Sequence, residues 1–113
     1  MKRTAILALA LALAGCVGAR NEMRGPEFAG RTVRVQAANG QVTLLRFQPD
    51  GDVVARFGER ETRGGWNFGD GRLCFTWAGN YRECWPHVRP FRTGRTETVT
   101  SDRGNVVQVT LLK

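Results

Sequence analysis

The chain is poor in the residues that carry chemistry. It has one histidine, His87, one serine, Ser101, three cysteines and, beyond Lys2, one lysine, Lys113. A serine hydrolase would need Ser101 to meet His87, yet Ser101 reads as part of a turn, SDRGN. A zinc centre takes about four ligands, and His87 is the only imidazole on offer, so no metal site is expected. Paired carboxylates occur as Asp50 with Asp52 and Glu59 with Glu61, but they sit at or beside expected hairpin ends, where acids serve turns and solvation. No helix pattern follows a glycine-rich loop, which leaves no phosphate cradle. These gaps argue against an enzyme and against a bound cofactor.

A long apolar run is also missing. The longest, Ala5 to Ala14, has ten residues, about half of the roughly 20 needed to cross a bilayer as a helix. With Lys2 and Arg3 before it and Gly15 after it, it reads as a processed export signal over residues 1–15. Leu13, Ala14, Gly15 and Cys16 resemble the lipobox of bacterial lipoproteins. That resemblance implies diacylglyceryl addition to the Cys16 thiol, cleavage before Cys16 and acylation of the freed amine. Acyl chains, at about 0.8 kcal/mol per buried CH₂, would then be the membrane partner. Val17 stands where an aspartate commonly marks inner-membrane retention in such lipoproteins, so the resemblance implies the outer membrane, facing the periplasm. Residues 16–29 read as the lipidated cysteine and a flexible tether, and residues 30–113 as a single β-domain.

With Cys16 given to lipid, Cys74 and Cys84 remain as a pair in an oxidising compartment, where two thiols usually form a disulfide. A thioredoxin-like centre would separate them by two residues at a helix start, and these lie on what read as two strands.

From Arg31 onward, runs rich in Val, Thr, Leu, Phe and Trp are cut by AANG, QPDGD, GDG, AGN and SDRGN. Such spacing predicts an antiparallel meander. Eight short strands are expected near 31–37, 41–48, 52–57, 62–68, 72–77, 81–88, 95–101 and 105–112. Joined in order, they favour a small closed or nearly closed up-and-down barrel, because closure removes exposed edges; the alternative is a two-sheet sandwich. Three-residue loops at Ala38-Asn39-Gly40 and Pro49-Asp50-Gly51 set Val33 against Leu45 and Phe47 against Val53, with Arg34, Arg46 and Arg56 on the other face. A two-residue Asp70-Gly71 turn sets Trp66 against Phe75. A loop at Ala78-Gly79-Asn80 puts Cys74 across from Cys84, a geometry in which cross-strand cysteines can meet. The same register places Glu83 opposite Phe75 on the apolar face, which calls for a bulge or a rim position.

The segment from about Phe47 to Leu112, with GW, LCFTW, CWP and SDRG, is similar to small β-domain lipoproteins of alphaproteobacteria, a resemblance that implies no activity. In architecture alone, a short disulfide-stapled barrel resembles the periplasmic lysozyme-inhibitor lipoproteins, whose binding-loop sequence is absent here.

Charge is the remaining signal. Without Lys2 and Arg3, 15 basic residues face 10 acidic ones. The segment WPHVRPFRTGR concentrates Arg89, Arg92 and Arg95 with Trp85, His87, Phe91 and two prolines, and holds no acid. It reads either as a cap on the barrel end or as a contact loop for an anionic envelope component or an envelope protein. Nucleic acid is disfavoured by the compartment. The expected function is a lipid-anchored, non-catalytic binding or accessory module of the cell envelope. The alternatives are an inhibitor of a hydrolase such as lysozyme and, less favoured, a small-ligand carrier.

Overall fold

The computed structural model describes residues 26–113. The expected signal segment over residues 1–15, Cys16 and the expected tether as far as residue 25 lie outside the described residues. Eight antiparallel strands form one nearly closed barrel-shaped sheet: β1 (Thr32–Ala37), β2 (Val42–Phe47), β3 (Asp52–Phe57), β4 (Arg60–Gly69), β5 (Arg72–Trp77), β6 (Tyr81–Pro86), β7 (Thr96–Thr100) and β8 (Val106–Leu111).

The turns explain the order. Ala37, Gln48 and Ser101 each accept a hydrogen bond from the glycine three residues on, at 2.9, 3.1 and 3.0 Å, and each donates its own N–H one residue further. Gly40, Gly51 and Gly104 take positive φ of 91°, 102° and 84° to close these three-residue hairpins, a conformation open to glycine at little cost. Asp70 and Gly71 form the two-residue turn, both left-handed. The resulting register pairs Val33 with Leu45, Phe47 with Val53, Trp66 with Phe75 and Cys74 with Cys84, as the turn chemistry predicts.

The sheet runs β6-β5-β4-β3-β2-β1-β8-β7, so the ladder joins the first strand to the last and the gap falls between β6 and β7. Pro86 explains why the two do not zip. Just past the end of β6, His87 N–H donates to the Gly71 carbonyl, so the backbone groups of Trp85 and Glu83 face β5 while those of Arg82, Cys84 and Pro86 face the gap. Pro86 has no N–H to offer there, and β6 ends at it rather than near residue 88.

The gap is fastened at one end by the β7–β8 turn. Asp102 N–H donates to the Cys84 carbonyl (3.0 Å) and the Asp102 carboxylate accepts the Cys84 N–H (2.9 Å), a pairing in which a side chain replaces one carbonyl of a ladder. Arg103 adds a bond from Nε to the Arg82 carbonyl (2.9 Å) and lies over the Tyr81 ring. Because both backbone groups of Cys84 face this seam, Cys74 and Cys84 form a non-hydrogen-bonded cross-strand pair, the closer kind, and the disulfide joins them.

Inward side chains fill the barrel with Val33, Leu45, Phe47, Val53, Leu73, Phe75, Trp85, Val99, Val109 and Leu111. Glu83 takes the inward position opposite Phe75 with no bulge, half-buried, and its carboxylate accepts Asn105 Nδ2 at 2.6 Å. Trp77 crosses the inner face over Gly64, where an added Cβ would stand 2.6 Å from the Thr76 carbonyl oxygen and against the indole ring. Gly64→Ala is therefore expected to cost about 1–3 kcal/mol by overpacking. Chemical denaturation checks this, and a loss of less than about 0.5 kcal/mol would contradict the packing.

One boundary differs from expectation. Residues 26–28 were expected to belong to a tether reaching residue 29, but Pro26–Phe28 forms a 3₁₀ turn, and Phe28 is wholly buried in the barrel. A phenylalanine carries far more apolar surface than a solvated linker tolerates when an unfilled barrel end is in reach.

Candidate functional site

The plugged end of the barrel gathers the loop that joins β6 to β7. Phe28 meets Phe47, His87 and Phe91 at ring-centroid distances of 5.2, 4.9 and 5.4 Å, and Trp66 at 6.4 Å. His87 sits among Phe28, Phe68 and Phe91 with its side chain 3% exposed. Its Nε2 donates to a Glu27 carboxylate oxygen at 2.8 Å, and the same oxygen accepts the Phe91 N–H at 3.0 Å. Nδ1 has no partner among the described residues. Glu27 thus ties the segment before β1 to the loop after β6.

The loop residues singled out from sequence divide by face. Trp85, His87 and Phe91 point inward and are buried. Arg89, Arg92 and Arg95 are exposed. Together with Pro90 and with Thr96, Glu97 and Thr98 of β7 they line a depression of about 550 Å³. Among the described residues no carboxylate pairs with any of the three guanidinium groups. Gly94 N–H donates to the Leu111 carbonyl (2.8 Å) and Arg95 N–H to the Arg92 carbonyl (3.0 Å), so the backbone carrying Arg92 and Arg95 is held in a defined turn against β8. The cap and the basic surface are two faces of one segment.

Ser101 and His87 serve the fold where they stand. The buried Ser101 Oγ accepts the N–H groups of Arg103 (3.1 Å) and Asn105 (3.2 Å), bracing the turn that fastens the seam. No cluster of His, Cys, Asp and Glu among the described residues could hold a metal ion. Two residues that matter at this end, Glu27 and Phe28, were expected to belong to the tether. The signal for them was a lone phenylalanine after a proline and an acid in an otherwise aperiodic stretch.

No family model, curated protein or solved structure matches this chain. The site's own geometry is therefore the basis for a functional reading.

Proposed function

We propose that the protein is a lipid-anchored, non-catalytic module of the cell envelope that binds an anionic or polar partner through the depression beside Arg89, Arg92 and Arg95. The observation carrying this reading is that three arginines with no carboxylate partner among the described residues line one depression, on a loop whose other face is locked into the barrel core. A preset loop loses little conformational freedom on binding, which favours affinity for a given contact area. An interior packed with aromatic side chains favours a surface contact over a carried ligand.

The anchor has its own test. Cys16→Ser is expected to abolish acyl labelling and to move the protein from the membrane fraction to the soluble one. A variant that still fractionates with membranes would contradict lipidation.

The released Cys16→Ser protein then serves for binding. It is expected to bind sedimented fragments of its own envelope saturably at about 0.1 M salt and to lose most of that binding at about 1 M, where the Debye length falls from about 10 to about 3 Å. No saturable binding at low salt would contradict the reading. A saturable loss of lysozyme activity with the same preparation would instead move the protein to the inhibitor class.

A further inference from the structure

The depression borders a sheet edge that no strand among the described residues covers. Ladder bonds alternate along an antiparallel strand, so each residue of β7 directs its backbone groups to one side only. Ser101 N–H donates to the Asn105 carbonyl, which puts Ser101, Val99 and Glu97 on the β8 side. Thr96, Thr98 and Thr100 therefore turn their N–H and C=O groups the other way, toward the gap. The Cys84–Asp102 pairing sets the register across that gap and brings Pro86 next, opposite Thr100. Proline supplies no N–H, β6 ends there, and Val88 beyond it is 83% exposed. β7 is a terminal strand of the sheet. Two of its three edge-facing residues, Thr96 and Thr98, line the depression together with the arginines.

We infer that this edge takes an extended acidic peptide segment, which adds to β7 as a strand while its carboxylates face Arg89, Arg92 and Arg95. The inference rests on the reading that the depression is the contact surface, and it names the partner's chemistry. Backbone pairing supplies the attachment and alternate side chains supply the selectivity. The Glu97 carboxylate, which also lines the depression, selects against a uniformly anionic ligand. A strand in which acids alternate with neutral residues avoids that repulsion, because successive side chains point to opposite faces.

The probe is a blocked peptide of about eight residues alternating Glu and Val, compared with its counterpart methylated on every backbone nitrogen, which keeps the charges and loses every donor. Each is titrated into the soluble Cys16→Ser protein while amide exchange is followed residue by residue. The expected result is slowed exchange at Thr96 and Thr98 with the unmethylated peptide, and binding about tenfold weaker or worse for the methylated one. A Thr98→Pro variant removes an N–H that β8 does not use, so it is expected to keep its melting temperature within a few degrees and to lose the peptide; should it unfold, the methylated peptide still decides.

Equal binding of both peptides, lost on changing the three arginines to serine, would overturn strand addition and leave the arginine surface standing. Binding to phosphatidylglycerol vesicles or tripolyphosphate with no binding of the peptide would overturn the inference in favour of a phosphate-bearing partner. No binding of any of these anions would overturn it together with the contact surface.

Discussion

Replacing Phe28 with alanine is expected to lower stability by about 3–5 kcal/mol, the range for a fully buried phenylalanine whose site cannot collapse. The side chain is completely buried and touches Phe47, Trp66, His87 and Phe91, which belong to two strands, β2 and β4, and the loop after β6. Its own backbone is tied in by hydrogen bonds from Gly30 to the Phe47 carbonyl (2.8 Å) and from Arg31 to the Phe28 carbonyl (2.9 Å), so the segment stays in place and a cavity remains. At about 4–8 °C per kcal/mol for a domain of this size, the melting temperature should fall by at least about 12 °C. A fall of only a few degrees would mean that Phe28 leaves the barrel end readily and that the segment before β1 is a tether after all.

The second large effect belongs to the disulfide. Changing Cys74 and Cys84 together to alanine is expected to cost about 2.5–3 kcal/mol, the chain-entropy value for the eleven-residue loop they close. The bridge joins the last two strands of the sheet before the gap, and Cys84 is also the residue that Asp102 fastens through its backbone. Those two bonds survive a side-chain change. The double variant should therefore remain folded, with the Asp102 pairing intact and binding unaltered, while denaturing at lower urea concentration with a slope no smaller than the wild type's, because the unlinked unfolded chain exposes at least as much surface. Loss of binding without loss of stability would give the cysteines a role beyond the staple. Mass spectrometry of unreduced protein should show a single bridged peptide pair.

Much of this architecture was legible because it is local. QPDGD and SDRGN dictate three-residue hairpins through their glycines, and once hairpin lengths are set, register follows residue by residue as far as Cys74 facing Cys84. Even the misfit of Glu83 opposite Phe75 was visible, and its resolution, a bond to Asn105, needed a partner 22 positions away that no pattern announces. The seam was not legible for the same reason. Asp102 looks like any turn aspartate until β6 lies beside it. Glu27 and Phe28 precede the first strand and gain their meaning from a loop some sixty residues later, where Glu27 meets Phe91 and His87. The segment 85–95 posed a choice between cap and contact surface because composition does not report side-chain direction; β6 ends at Pro86, and the loop beyond it buries His87 and Phe91 yet leaves Arg89 exposed between them, which no alternation would show.

That division is the centre of the functional account, and two variants measured side by side test it. Changing Arg89, Arg92 and Arg95 together to serine should abolish the salt-sensitive binding to envelope fragments while leaving the melting temperature nearly unchanged, since exposed substitutions usually shift stability by about 0.5 kcal/mol or less each. Phe91→Ala should lower stability by about 3 kcal/mol, because it opens the barrel end. Binding by the arginine triple variant that equals the wild type at low salt would contradict the account.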